Sequence, residues 1–196
     1  MKRALDLLLV SAALLVLWPL LLIIALAIVL DSRGGVIYEQ ERIGKGEQPF
    51  RLYKFRTMRP ASDREGLLSL GSTDQRITPI GHFLRRCRLD ELPQLWNILI
   101  GDMSIVGPRP EVPHYVQHFT EEEKQTLRVR PGLTDYATLE YLQEGELLAQ
   151  SSNPEQTYIQ DILPQKLALS RRYIQERSLG TDVKIIWKTL AKLWTS

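Results

Sequence analysis

From Leu5 to Leu30 the chain is almost wholly apolar, interrupted only by Asp6 and Ser11. Lys2 and Arg3 precede this run, and Asp31, Ser32, Arg33 and two glycines close it. The run is too long for the apolar region of a signal peptide, and no small-residue cleavage site follows it. Its length also disfavours a buried core helix and suffices to cross about 30 Å of hydrocarbon. Pro19 lies near the middle, where the missing N–H and the ring clash predict a break. Lys2 and Arg3 argue for a cytoplasmic N-terminus. A bent span would then carry everything after residue 31 across the membrane, whereas a re-entrant hairpin would return it to the same face. The segment by itself leaves both open.

The remainder is a mixed polar and apolar chain, long enough to bury its own core. The whole has 196 residues and a formal net charge of +2, so it is one domain in size and not a nucleic-acid binder by overall charge. The one cysteine, Cys87, cannot form an intrachain disulfide, and a partly buried structural thiol is expected there.

Val36–Gln40 and Phe50–Met58 are rich in β-branched and aromatic residues and flank a turn-like Lys45-Gly46-Glu47-Gln48, which predicts a hairpin. Arg59 to Asp74 reads as a loop. A helix is expected over Pro79–Arg86, and a second from Asp90 as its cap to Gly101. Gly107-Pro108-Arg109-Pro110 makes a rigid elbow. Thr120 and Glu123 form a capping-box pattern. Asn153-Pro154 opens a further helical stretch that Pro164 should divide. Over 183–194, Val183, Ile186, Trp187, Leu190, Leu193 and Trp194 recur at helical spacing beside a Lys184, Lys188 and Lys192 stripe. This pattern suits a membrane interface, and equally a surface helix packed on a core.

The densest chemistry lies in Arg85-Arg86-Cys87-Arg88-Leu89-Asp90-Glu91-Leu92-Pro93. Arginines beside two adjacent carboxylates at a helix start welcome phosphate oxygens and keep a carboxylate ionised. Asp90 is then a candidate nucleophile at phosphorus, with Glu91 positioning a proton or helping to hold a metal. Taken as a dipeptide alone, a capped helix with surface ion pairs explains the pattern as well. Arg109 in its elbow, Arg130 beside Pro131-Gly132, and Lys54 and Arg56 on the expected strand could supply the several cations that a diphosphate needs. His114 and His118 have a metal-ligand spacing but lack a third ligand nearby, which counts against zinc.

Four segments together resemble a known family. Lys54-Phe55-Arg56-Thr57-Met58, Leu89-Asp90-Glu91-Leu92-Pro93-Gln94-Leu95-Trp96-Asn97, Gly101 to Pro110 and Arg130-Pro131-Gly132-Leu133-Thr134 are similar to those of the bacterial sugar transferases. These are monotopic polyprenyl-phosphate phosphoglycosyl transferases. The likeness extends from Lys2-Arg3 and Asp6 to Asp182-Val183-Lys184-Ile185 and is to the minimal form, without a multi-span N-terminal domain. It implies an α/β fold: a small mixed helix and β-hairpin domain (32–196) on a re-entrant membrane helix (1–31) broken near Pro19, with interfacial amphipathic helices. It implies a ping-pong reaction in which Asp90 attacks the phosphate next to the sugar of a UDP-sugar and releases UMP. Polyprenyl phosphate then takes the phosphosugar. Glu91 would complete the dyad, and Mg2+ would be required, held by Asp90 and Glu91. Arg85 and Arg109 match phosphate-facing arginines, and Asp182 a recurring family Asp.

The chain departs from the common pattern with Trp18 before Pro19, where many members carry Ser, and with Asp135-Tyr136-Ala137-Thr138 in a loop that bears on sugar identity. The expected partners are a UDP-sugar, polyprenyl phosphate and inner-membrane lipid, with a second copy of the chain as an open option and no nucleic acid. The expected location is the cytoplasmic face of a bacterial inner membrane. A glycosyltransferase releasing nucleoside diphosphate and a non-catalytic scaffold of a glycan assembly complex are the competing readings.

Overall fold

A computed structural model describes residues 1–60, 62 and 66–195. Helix α1 runs from Lys2 to Asp31 as one element with Pro19 inside it. One stripe of it, Asp6, Val10, Ile24 and Ile28, is buried, with Ala13, Leu14, Leu17, Leu20 and Leu21 half-buried between them. The opposite face exposes Leu8, Leu15, Val16, Trp18, Leu22, Ile23 and Leu26. The near-uniform apolarity of the sequence hides this division: a helix apolar all round has one side for protein and one for another apolar solvent.

The buried stripe meets the rest of the chain in two clusters. Val10 packs with Leu52, Leu95, Ile98 and Met103, and Ile24 and Ile28 pack with Phe55 and Leu84. Polar ties fix both ends. Lys2 Nζ pairs with Asp182 at 2.5 Å, and Arg3 donates to the carbonyls of Ile98 at 2.6 Å and Leu99 at 3.0 Å. At the other end Arg56 donates to the carbonyls of Ser32, at 2.7 Å, and Arg33.

The expected hairpin forms as β1 (Ile37–Ile43) and β2 (Pro49–Phe55), antiparallel with Ile37 opposite Phe55, around a 3-10 turn at Lys45–Glu47. The strands are shifted a few residues from the expectation because pairing follows the turn. Ala61 and 63–65 of the expected loop lie outside the described residues. Helix α2 (Pro79–Arg86) is capped by Thr78, whose hydroxyl accepts from Gly81 N at 3.1 Å. The next helix, α3 (Gln94–Ile100), starts later than expected. Asp90 is not its cap but lies in a separate 3-10 turn, Leu89–Glu91. Asn97, fully buried in α3, accepts from Tyr53 N at 3.0 Å and donates to Arg51 O at 2.7 Å, so that one side chain docks β2 on α3.

Two short strands, β3 (Ser104–Val106) and β4 (Gly132–Thr134), pair in parallel. Beyond β3 the elbow passes so close to β4 that a Cβ on Gly132 would lie 2.1 Å from Gly107 N. After the elbow come α4 (Pro113–Val116) and a 3-10 helix at Glu123–Arg128. The capping box forms ahead of the latter, with Thr120 N donating to Glu123 Oε2 at 2.8 Å and Glu123 N to Thr120 Oγ1 at 3.3 Å. Helices α5 (Tyr136–Glu140), α6 (Glu144–Ala149), α7 (Pro154–Thr157) and α8 (Leu163–Glu176) follow.

Pro164 does not divide the helical stretch. A π-turn at Tyr158–Ile162 widens the preceding backbone, so the path continues from α7 into α8. The last helix, α9 (Leu179–Thr195), buries Asp182 and Ile185 against the core and leaves Val183, Trp187 and Leu190 exposed. The packing of one side on the core accords with the reading of this segment as a surface helix. The side chain of Trp194 lies outside what is described.

Candidate active site

β2, the α2–α3 connection, the elbow, α6 and α8 enclose a cleft of about 770 Å³, lined among others by Lys54, Arg85, Arg88, Asp90, Glu91, Arg109, Glu144 and Lys166. The dyad is presented by a strained turn. Arg88 has φ +56°, left-handed backbone that costs a non-glycine residue roughly 1–3 kcal/mol. Its guanidinium donates to Leu142 O, which holds the turn in place.

The two carboxylates have opposite environments. Glu91 receives both nitrogens of the Arg109 fork, with Nη1 to Oε2 at 3.2 Å, and Lys54 Nζ lies 3.4 Å from Oε1. Burial raises its pKa, but Arg109 and Lys54 outweigh burial and hold the carboxyl well below the usual range. The same pairing keeps Arg109 charged against the cost of its own burial. Asp90 is also buried, and its Oδ1 has no hydrogen-bond partner among the described residues. Burial first, and then the neighbouring Glu91 charge, push its pKa up, with Lys54, Arg85 and Arg88 opposing. One carboxylate is therefore saturated and locked. The other keeps a bare oxygen of raised basicity, which suits a nucleophile.

Arg85 is aimed by two hydroxyls, donating from Nε to Thr57 Oγ1 at 2.8 Å and from Nη1 to Ser69 Oγ at 2.5 Å. The elbow that carries Arg109 is pinned on three sides: Gly132 N donates to Pro108 O at 2.9 Å, Arg42 Nη1 to Pro110 O at 2.9 Å, and Ile43 N to Glu111 O at 2.9 Å.

The structure brings Lys54, Arg85, Asp90, Glu91 and Arg109 together. Arg56 borders the cleft, but its guanidinium is occupied by the carbonyls ending α1. Arg130 donates to Gly101 O at 2.9 Å and is not in the cleft wall; Asp182 is bonded to Lys2 and to Tyr173, away from the cleft. Asp135 caps α5 through Thr138 N at 2.7 Å and accepts from Ser170 Oγ at 2.8 Å, leaving Ala137 and Thr138 as the members of that loop that line the cleft. Cys87 is exposed rather than partly buried, because it follows the last turn of α2 on the outer side. His114 pairs with Glu155 at 2.9 Å.

Sequence reasoning passed over Arg88 as the holder of the turn, Thr57 and Ser69 as the partners of Arg85, and the Glu111, Glu144 and Lys166 cluster. Only Arg88 carried a local signal, by standing next to the dyad.

A profile of the family described as bacterial sugar transferase matches residues 1–196. The chain is similar to an undecaprenyl-phosphate glucose phosphotransferase of Komagataeibacter xylinus, 39% identical over 198 residues, covering 97% of this chain and 35% of the relative. It is 36% identical over 197 residues to a UDP-N-acetylgalactosamine-undecaprenyl-phosphate N-acetylgalactosaminephosphotransferase of Aeromonas hydrophila, covering 99% and 44%. With a UDP-glucose:undecaprenyl-phosphate glucose-1-phosphate transferase of Caulobacter vibrioides the identity is 38% over 200 residues, covering 100% and 70%. The chain spans less than half the length of the first two. With its whole length matched, from the apolar helix through the dyad to α9, the chain belongs to the bacterial sugar transferase family.

Proposed function

We propose that the protein transfers a sugar-1-phosphate from a UDP-sugar to undecaprenyl phosphate and releases UMP. The observation that carries this reading is the bare, buried oxygen of Asp90 in an arginine-lined cleft beside a Glu91 already saturated by Arg109 and Lys54. The relatives' names supply the donor and acceptor classes.

In the first half-reaction an Asp90 carboxylate oxygen attacks the phosphorus that bears the sugar. The bond from that phosphorus to the bridging oxygen breaks, and UMP leaves with the bridging electron pair. In the second, a phosphate oxygen of the polyprenyl acceptor attacks the same phosphorus and frees Asp90. Arg85 takes the diphosphate charge, Lys54 and Arg109 hold Glu91, and Arg88 fixes the turn that presents Asp90.

The residues fit magnesium delivered with the substrate. Among the described residues Asp90, with its unpartnered Oδ1, is the hard donor at hand, and Glu91 would join it only by yielding part of its pairing with Arg109 and Lys54; among the same residues no set of three or more His, Cys, Asp or Glu forms a cage. That is how magnesium is commonly held, by one or two carboxylates with phosphate and water. When bound it would neutralise diphosphate charge.

The decisive experiment supplies UDP-sugar without acceptor. Intact mass spectrometry at mild pH should show a phosphosugar adduct on the wild type and none on Asp90→Asn. Single-turnover UMP release from wholly unmodified protein would replace the covalent route with direct transfer.

The same reading seats α1 in the cytoplasmic leaflet of a bacterial inner membrane as a re-entrant helix bent at Pro19. Support comes from the ties at both of its ends to one globular body, its apolar outer face, and the open Val183, Trp187 and Leu190 strip of α9. A straight 30-residue span would separate its ends by about 45 Å. Holding both would draw the polar body into hydrocarbon. Single cysteines at Ala4 and Lys45, in a Cys87→Ser background, should resist an impermeant thiol reagent in intact cells and react after lysis. Labelling of either site in intact cells would refute the topology.

A further inference from the structure

The cleft is divided by charge. Around the dyad, Lys54, Arg85, Arg88 and Arg109 outnumber the two carboxylates. At the α6 and α8 end carboxylates prevail, with Glu111, Glu144 and Glu146 against Arg42 and Lys166. Glu111 and Lys166 are buried and satisfy one another through Tyr158, whose hydroxyl donates to Glu111 Oε1 at 2.7 Å and accepts from Lys166 Nζ at 3.0 Å. Glu144 differs. Lys166 holds its Oε2 at 2.7 Å, and its side chain is 27% exposed, so it meets the cleft rather than the core.

A diphosphate belongs at the cationic end, because a carboxylate repels it. The carboxylate-rich end therefore faces an uncharged part of the donor. The sugar is bonded to the phosphate that Asp90 attacks, whereas the nucleoside lies one phosphate farther away. The wall carrying Glu144 is tied to the dyad's own turn by the bond from Arg88 to Leu142 O. The sugar, rather than the nucleoside, is therefore the part of the donor that fits against that wall. A carboxylate oxygen is a strong acceptor for a hydroxyl, and a site built on such a bond discriminates sharply against donors that lack or misplace that hydroxyl.

We propose that Glu144, held by Lys166, accepts a hydroxyl of the donor sugar and sets which sugar is used; this rests on the reading given under Proposed function. The test compares wild type, Glu144→Gln and Glu144→Asp with UDP-glucose, UDP-galactose, UDP-N-acetylglucosamine and UDP-N-acetylgalactosamine. The first readout is kcat/KM for UMP release with undecaprenyl phosphate. The preferred donor should lose roughly 10–100-fold in Glu144→Gln while the poorest loses less than about threefold, so that selectivity collapses. Glu144→Asp keeps the charge and its pairing with Lys166, and should retain part of the preference. Equal losses with all four donors, or unchanged constants, would overturn the assignment. Donor-induced thermal shifts, which need no turnover, are measured in parallel. Sugar-dependent shifts that Glu144→Gln flattens would support the assignment even without UMP release, and in that case only the transfer reading would fall.

Discussion

Asp90→Asn should abolish turnover and also make the protein more stable. In the wild type, taking the Asp90 carboxylate out of water costs several kcal/mol. Lys54, Arg85 and Arg88 offset most of this, while Glu91 next to it adds repulsion, and the net direction is an upward pKa. Asn keeps the shape and still leaves one buried polar atom short of a partner, so the comparison isolates the charge. Each kcal/mol of residual cost that the substitution removes corresponds to a rise in Tm of about 2–4 °C for a chain of this size. The pH dependence fixes the sign. The folded state binds the Asp90 proton more tightly than the unfolded chain does. The cost of ionisation is therefore complete above the folded-state pKa, declines as pH falls through it, and is gone below the ordinary aspartate value of about 3.9. The gap between variant and wild type should thus be widest at neutral pH and should shrink on acidification. Thermal unfolding in detergent micelles, followed by tryptophan fluorescence near pH 7 and near pH 4, measures it beside UMP release. An inactive variant that melts below wild type at neutral pH would refute the claim that the site holds Asp90 against its electrostatic preference.

Two further outcomes follow from the geometry. Arg109→Lys keeps the charge but loses the fork on Glu91, and should lower kcat at least about tenfold; activity within a fewfold of wild type would make the paired contact dispensable. Gly132→Ala drives a methyl into the backbone of Gly107, so it should cost about 3 kcal/mol or prevent accumulation of folded protein, read as a lowered Tm or yield.

Much of this architecture is written locally. The hairpin follows from its turn, α2 from Thr78 and Pro79, and the capping box from Thr120 and Glu123, because each depends on neighbours a few residues apart. The dyad and its cations were legible as a motif. What those cations touch was not. Arg109 meets Glu91 18 residues away, and Arg56 meets Ser32 24 residues away. Nothing local to either arginine distinguishes a phosphate ligand from a carboxylate lock or a helix cap. Asp90 as a helix cap was a sound local inference, displaced because Arg88 takes a left-handed conformation and starts a separate turn. Pro164 failed as a divider because the cost it imposes is absorbed one turn earlier.

The packing of α1 bears on how the protein can be handled. Cutting the chain after residue 31 would remove one wall of two core clusters and strip cover from Leu52, Phe55, Leu84, Ile98 and Met103. It would also take Asp6 from Ser104 Oγ and Lys2 from Asp182, and free Ser32 and Arg33, whose carbonyls Arg56 holds, from the helix that positions them. Phe55, the last residue of β2, rests on the anchor, and Arg56, just beyond the strand, holds the carbonyls that follow it, within two residues of Lys54 in the cleft wall. A folded, water-soluble form is therefore not to be expected from deletion. A soluble form has to keep α1 and change only its outward side chains, Leu8, Leu15, Trp18, Leu22 and Leu26 among them, to polar ones.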